Sequence, residues 1–465
     1  MIDPMTGRLR ALLAALVVIL IAAAGAGYAL NRSAALRAAT DDGGFQVATT
    51  GDVRELINDS NTQSQLLDVA VTKLESSYYK PVDPQTPPRG EAKALDDYLK
   101  SKRIAGASVP DNGNVSQILA YAQSHYASKL GPTAATDLTE TALRGVMNSV
   151  DDPYTVYLSP KEIQGLQESL SGGNFGGIGV YIYQLKDGQV LVQPIDGLPA
   201  SRAGVKPGEV VDAVDGKPVK GMTLDRVEQL IRGPEGTTVR IRTHPYNKTG
   251  ERTYAIAREV IHVPTVRAKM EDGYDYIRLS DFGTTSADEV RKALVDGRAH
   301  GAKGFILDLR NNGGGLLDAA VKISSYFIPH GTIVATIDRQ GNRSEEDALG
   351  TAIGGLQPLV ILVNKYTASA SEITSGALQD YHLAKLIGTK TFGKGVVQSI
   401  YPMPDSGALK ITTAKYVTPL GRDIQHKGIM PDIVVDQNAD PALIDTPADK
   451  QLAQAKATLK QLAQQ

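Results

Sequence analysis

At 465 residues the chain is long for a single hydrophobic core and is expected to form two or three domains. Its formal charge of −2 gives no electrostatic footing for nucleic acid, so none is expected as a partner. The lack of cysteine excludes disulfides, thiol catalysis and thiolate-bound metals, and an apolar share of 42% leaves room for one membrane segment but not several.

Residues 11–30 carry no charge and are rich in Leu, Val, Ile and Ala, with Arg8 and Arg10 ahead of them. Such a run matches the roughly 20 apolar residues that cross a bilayer, so 1–35 is expected to be a membrane anchor or a signal segment. Ala24-Gly25-Ala26 would suit a cleaved signal peptide, but the run exceeds a usual signal core and favours one uncleaved transmembrane helix. Either way the bulk of the chain is expected outside the cytoplasm, in the cell envelope.

Residues 45–165 read as a helical region. Leu66, Leu67, Val69, Ala70, Val71 and Leu74 make a helical face over 65–79, stopped by Pro81. Residues 80–132, rich in Pro, Gly, Asp and Ser, read as an insertion running over the surface. A second helix is expected over 137–150, opened by Thr136 or Asp137 and closed before Asp151-Asp152-Pro153.

From 172 to 261 the pattern turns to short strands and glycine turns. Gly176-Gly177-Ile178-Gly179-Val180 precedes one strand, Val190-Leu191-Val192 makes another, and an amphipathic helix covers 225–231. The layout resembles a PDZ domain. That resemblance implies that the loop Gly176, Gly177, Ile178, Gly179, Val180 holds a substrate's terminal carboxylate while the strand edge accepts the peptide. A β-rich spacer without a ligand is the plain alternative.

Residues 262–436 alternate strands and helices, with strands at 274–279, 304–309 and 358–363, a helix over 286–298 and another after Gly315. A helical tail follows over 437–465, begun at Thr446-Pro447, with Leu452, Ala455, Leu459 and Leu462 along one side. That stripe could pack on its own core or on a second copy. The expected fold class is therefore α/β multidomain: a β-rich PDZ-like domain, a mixed α/β core, and helical segments at both ends.

Two stretches carry the chemistry. Thr367-Ala368-Ser369-Ala370-Ser371-Glu372 follows an apolar run and reads as a strand turning sharply into a helix with a hydroxyl exposed at the turn. Thr391-Phe392-Gly393-Lys394-Gly395-Val396-Val397-Gln398 sets one lysine between glycines. A serine becomes a nucleophile beside a base, and a lysine serves when its surroundings keep it neutral, so the pair reads as a Ser–Lys hydrolase centre. Ser371 competes with Ser369, but capping the following helix gives it an ordinary task. Ser369 lies just outside that helix, where N–H groups and the positive dipole end favour an oxyanion, with Ala370 as one donor.

Both stretches resemble the C-terminal processing peptidases, or tail-specific proteases. The resemblance implies Ser369 as nucleophile, Lys394 as base and Gln398 as the group that orients the lysine. Asp308-Leu309-Arg310-Asn311-Asn312-Gly313-Gly314-Gly315 is similar to the family's Asp-Leu-Arg-x-Asn-Pro-Gly-Gly and implies the second oxyanion donor, left open between Gly314 and Gly315 because Gly313 replaces the proline. Asp152-Pro153-Tyr154-Thr155-Val156-Tyr157-Leu158 is similar to another family signature. Arg232, which ends the PDZ-like helix, matches an arginine associated in the family with switching the protease on when the PDZ domain is occupied. The implied partners are protein substrates with free C-termini, and family members commonly dimerise through terminal helices. No cofactor or metal is implied.

Gly388 to Lys394 fits the start of a phosphate loop, but Gly395 stands where Ser or Thr must follow, and an extended run rather than a helix comes next. A histidine base would have to come from His382 or His426, neither placed in a recognisable triad pattern. A PDZ-bearing scaffold with an inactive hydrolase core is the alternative from another class.

Overall fold

The computed structural model describes residues 60–170, 175–185, 187–246, 248–262, 264–355, 357–437 and 443–464, so the expected anchor or signal segment lies outside the described residues. The chain forms two compact units. One takes in the described residues up to Leu166 together with 266–282 and 287–465; the other is 167–265 with 283–286.

The larger unit begins with four helices, Ser60–Ser77, Thr86–Ser101, Val115–Leu130 and Ala134–Asn148. Two of them occupy the stretch read as a surface insertion. Pro87 and Pro88 fall in the first turn of Thr86–Ser101, where a missing N–H leaves no helical bond unmade. Asn114 and Gln117 then close a reciprocal capping box on Val115–Leu130. The fourth helix starts at Ala134, earlier than Thr136 or Asp137 suggested, with Thr133 at its N-cap.

Leu66, Leu67, Leu74, Leu95, Leu99, Ile118, Leu119, Leu138 and Val146 form one buried cluster with Tyr157, Leu409 and Ile411 of neighbouring strands and with Met403 between two of them. The helical region and the α/β core therefore share a core. Within the bundle, Glu91 is fully buried with no hydrogen-bond partner for either carboxyl oxygen. Burial pushes its carboxyl up to about 9, which makes it a neutral acid at neutral pH.

A six-stranded sheet runs in the order Val266–Glu271, Tyr274–Leu279, Phe305–Asp308, Leu359–Val363, Ala384–Gly388, Ile433–Val434, antiparallel at the first pairing and parallel thereafter. Leu359–Val363 is buried along its whole length, as a parallel strand covered on both faces must be. Residues of the helices Leu317–Ser325 and Ala370–Asp380 fill one face. Leu452, Ala455 and Leu459 of the last helix, Lys450–Leu462, fill the other against Tyr276, Ile306, Val360 and Leu362. The terminal stripe is thus used inside the chain. Asp449, not Thr446, caps this helix, and its carboxylate also binds the fully buried Arg310 guanidinium, which Asp308 grips from the other side.

A second, antiparallel sheet has the order Val156–Leu158, Ala408–Val417, Thr332–Asp338, Arg343–Asp347, with Val396–Pro402 on the other flank of Ala408–Val417.

The smaller unit is an antiparallel sheet ordered Val180–Gln184, Val190–Pro194, Glu209–Val214, Thr238–Pro245, Arg252–Ala257, with Lys217–Pro218 beside Glu209–Val214. Val190, Val192, Val211, Val214, Val239 and Ile241 pack with Val227 and Ile231 of the helix Leu224–Ile231 to form its core.

Candidate active site

Three adjacent parallel strands explain why the two motifs meet. Phe305–Asp308, Leu359–Val363 and Ala384–Gly388 lie side by side, and each delivers its following loop to the same carboxyl edge of the sheet. The first leads to Asn311–Gly315, the second to Ser369 and the third to Lys394.

Ser369 stands at the N-cap of Ala370–Asp380 with φ 56° and ψ −120°. A non-glycine residue in that region is strained, and a dense set of bonds holds it there. Asn364 N–H donates to Thr367 Oγ1, which donates to Leu309 O. The Asn364 side chain accepts from Asn311 N–H at 3.1 Å, and Ala368 N–H donates to Asn312 O at 3.1 Å. Ser371 does not cap the helix as the sequence suggested. It is the second residue of the helix, fully buried, and its hydroxyl donates to Asn312 O at 3.1 Å, binding the Ser369 turn to the glycine loop.

Gly314 shows how close these loops are. A Cβ there would lie 2.7 Å from Ala368 O and 2.8 Å from Ala370 N, and its φ of +101° already favours glycine. Its N–H is engaged, donating to Asn312 Oδ1 at 2.9 Å. Phe282 N–H binds Gly314 O and Leu316 N–H binds Phe282 O, a pattern that leaves the Gly315 N–H outside the ladder. The Ala370 N–H, at the first helical position, is likewise outside the helix's own bonds.

Glu372 ties both motifs together. Its carboxylate is fully buried and accepts from Ser369 N–H at 2.9 Å, Gly393 N–H at 2.8 Å, Lys394 N–H at 2.9 Å and Thr391 Oγ1 at 2.5 Å. Burial raises its affinity for a proton, and these donors pull the other way. The buried Tyr416 hydroxyl faces the carbonyls of the same two residues, donating to Lys394 O and lying 3.2 Å from Ser369 O. Gly393 is required because a Cβ there would lie 2.8 Å from Gly428 N.

The lysine side chain is held differently. Lys394 Nζ lies 4.8 Å from the centre of the Tyr154 ring, a cation–π distance, and makes no hydrogen bond to Ser369. Burial, joined by the charge of Lys410, lowers its pKa to about 8, against the pull of Asp152 and Glu372. Gln398 follows on Val396–Pro402, past a bulge, and its amide donates to Val396 O at 3.2 Å. The bond from Gln398 to the Lys394 amine that the resemblance implies is not made here.

In the smaller unit, Val180–Gln184 is an edge strand, paired among the described residues only with Val190–Pro194. Val180 and Ile182 turn toward the core, with Leu224 and Leu230 of the neighbouring helix, whereas Tyr181 and Tyr183 are exposed. Ile178 is itself a core residue, so only its backbone is placed to meet a ligand. The carbonyls of Ile178 and Gly179 accept from Ala200 and Ile195, which fixes the loop. Gly176 is packed against Gly233, where a Cβ would lie 2.0 Å from the carbonyl. Arg232 ends the helix Leu224–Ile231 and pairs with Glu228 of the same helix.

Sequence reasoning missed Glu372 as an organiser, though it is the last residue of the serine motif. It also missed Asp152, Tyr154 and Lys410 as neighbours of Lys394, since nothing local connects them.

Residues 273–435 match peptidase family S41, and residues 190–243 match a PDZ domain. The chain is 38% identical over 327 residues to the carboxyl-terminal-processing protease of Synechocystis, covering 69% of this chain and 76% of the relative. It is 38% identical over 307 residues to the carboxy-terminal-processing protease of Bartonella bacilliformis, covering 64% and 70%. Among solved structures, the photosystem II D1 C-terminal processing protease is 28% identical, covers 80% of this chain and 93% of its own, and has a TM-score of 0.45.

Proposed function

The chain belongs to peptidase family S41 as a carboxyl-terminal-processing serine protease, and from that premise we propose that Ser369 is its nucleophile, Lys394 the general base and Gln398 the group that orients the amine. The observation that carries this reading is the single Glu372 carboxylate that accepts N–H bonds from both Ser369 and Lys394. Residues whose backbones share one buried anchor are held at a common site whatever their side chains do at rest.

The chemistry follows. A neutral Lys394 amine leaves the Tyr154 ring and takes the Ser369 hydroxyl proton as the oxygen attacks the substrate carbonyl. The Ala370 and Gly315 N–H groups hold the oxyanion; Gly314, whose N–H is already engaged, shapes the loop instead. The lysine returns the proton to the leaving amine, and water, deprotonated by the same amine, releases the acyl-enzyme. No cofactor enters.

The smaller unit is proposed to capture the free C-terminus of a protein substrate at Gly176–Val180 and beside the edge strand. Arg232 is proposed as the residue through which an occupied PDZ domain turns the protease on. The chain is further proposed to be exported to the cell envelope and held by residues 11–30 as one membrane helix, with signal cleavage as the alternative. A homodimer would need a surface other than the 452–459 stripe, which packs on its own sheet. The inactive-scaffold reading is not favoured.

The test is direct. The wild-type chain should shorten protein substrates from their C-termini and react with a fluorophosphonate at Ser369. Ser369→Ala and Lys394→Ala should each lose at least about a thousandfold in turnover, since nucleophile and base act as a unit. Normal cleavage by Ser369→Ala would refute the assignment. Arg232→Ala should retain the melting temperature and PDZ peptide affinity while losing turnover of long substrates; unchanged turnover would remove Arg232 from the scheme.

A further inference from the structure

Lys410 stands on Ala408–Val417, opposite Val156 on one side and Ile400 on the other. Gln398 is paired with Thr412 in the same regular stretch, so Lys410, two positions along, shares the sheet face of Gln398. The chain that leads into Val156–Leu158 runs alongside it, as the Thr412 N–H to Thr155 Oγ1 bond at 3.1 Å shows. That segment brings Asp152 and Tyr154, the ring on which Lys394 Nζ rests.

Lys410 is half-buried, yet it makes no hydrogen bond or ion pair among the described residues. The contrast with other buried cations is clear. Arg310 is gripped by Asp308 and Asp449, and Arg258 donates to Ile231 O, Leu230 O and Thr237 Oγ1. Both oxygens of Asp152, the acidic group whose charge acts on Lys410, are already accepting from Tyr154 N–H at 3.0 Å and Thr155 Oγ1 at 2.7 Å. An unpaired charge kept beside a base needs a reason, because pairing it would have been the more stable arrangement.

We propose that Lys410 is a positioning residue of the catalytic centre, a second lysine whose unpaired charge makes a proton on Lys394 unfavourable and so keeps that amine ready to accept one. The inference rests on the reading of Lys394 as the base. Two neighbouring lysines cannot both hold a proton cheaply in a half-dry site, so the charge on one favours the neutral form of the other. The groups facing Lys394 from each packed element are Asp152 and Tyr154 ahead of Val156–Leu158, Glu372 of the nucleophile helix, and Lys410 and Tyr416 of the long strand. Lys410 is the cation among them. Burial and Lys410 lower the Lys394 pKa together, and burial lowers that of Lys410 too, with Asp152 opposing in both cases.

The experiment is the pH dependence of kcat/KM for the full chain on a fluorogenic peptide. Wild type should show a rising limb near pH 8, where Lys394 loses its proton. Lys410→Met removes the neighbouring charge, so Lys394 keeps its proton longer. The limb should move alkaline by roughly half to one unit, a three- to tenfold loss at pH 7 that disappears above the limb. Lys410→Arg keeps the charge and should leave the limb in place. Should Lys410→Met melt early, Lys410→Gln makes the same charge change. Loss at every pH with an unmoved limb would overturn the proposal in favour of a structural lysine. A raised KM with an unmoved limb would overturn it in favour of a contact to a substrate carboxylate. Lys394→Ala separates the two claims: turnover in that variant sinks the base assignment itself, whereas a dead Lys394→Ala with an unmoved Lys410→Met limb sinks only the role of Lys410.

Discussion

Two buried glutamates in the same unit carry opposite lessons. Glu372 and Glu91 are both fully buried, so both have lost the water that would solvate a charge. Around Glu372 the protein supplies three N–H groups and a hydroxyl. Around Glu91, packed between helices of the bundle, it supplies no donor or acceptor. Burial alone therefore produces a neutral acid that weakens the fold, while burial with converging donors produces an anchor that holds two loops in register. The donors at Glu372 come from the serine turn and the lysine loop, which is why the fully satisfied carboxylate belongs to the site and the orphan does not.

The strongest way to break the contrast is to remove the anchor. Glu372→Ala should lower kcat by about a hundredfold or more and cost about 3 kcal/mol of stability, because several buried donors lose their partner together. Urea unfolding and turnover measured on the same preparation would check both; near-normal turnover would show that the loops hold their register unaided. Glu372→Gln, which keeps the shape but turns an acceptor into a donor facing N–H groups, should fall between the two.

Gly314→Ala tests whether the loops are as close as the anchor implies. The new methyl would press on Ala368 O and the Ala370 N–H in a backbone region that disfavours side chains. Turnover should fall by about ten- to a hundredfold with a modest loss of stability of about 1–3 kcal/mol. Unchanged kinetics would mean that the loop is looser than drawn.

The orphan should respond in the opposite direction. Glu91 has a folded pKa raised to about 9, above its ordinary value of 4.5, so the stability present below that ordinary value is lost as pH rises toward 9. Glu91→Gln removes the ionisation and should raise stability at pH 8 by up to about 5 kcal/mol, with activity unchanged. The gain should vanish at pH 4, and thermal melts at the two pH values decide it. A variant no more stable than wild type at pH 8 would mean that water or rearrangement solvates the carboxylate. The smallest effect is expected for Ser371→Ala, which loses one bond to Asn312 O and should cost about 1 kcal/mol while turnover changes only a few-fold.

Much of the architecture was legible in the chain. The apolar run at 358–363 read as a buried strand and forms one over Leu359–Val363, the alternation of glycine turns and short apolar runs pointed to the PDZ-like sheet, and the serine and lysine motifs marked the two loops that meet at Glu372. The helices inside 80–132 were not, because proline, glycine and serine punctuate helix starts as readily as loops. Only the caps at Pro87, Pro88 and Asn114 tell them apart.

What the sequence determined by itself is local. A serine outside a helix start, a lysine flanked by glycines and a glycine-rich loop after a buried strand are set by backbone preference and turn chemistry, which act over a few residues. The tertiary structure decided everything that depends on water and charge. It chose Glu372 as the anchor, freed Gly315 rather than Gly314, laid the terminal stripe on its own sheet, and brought Asp152, Tyr154 and Lys410 around the Lys394 amine. Desolvation and pairing are properties of neighbours in space, and these neighbours come from strands and loops far apart in the chain.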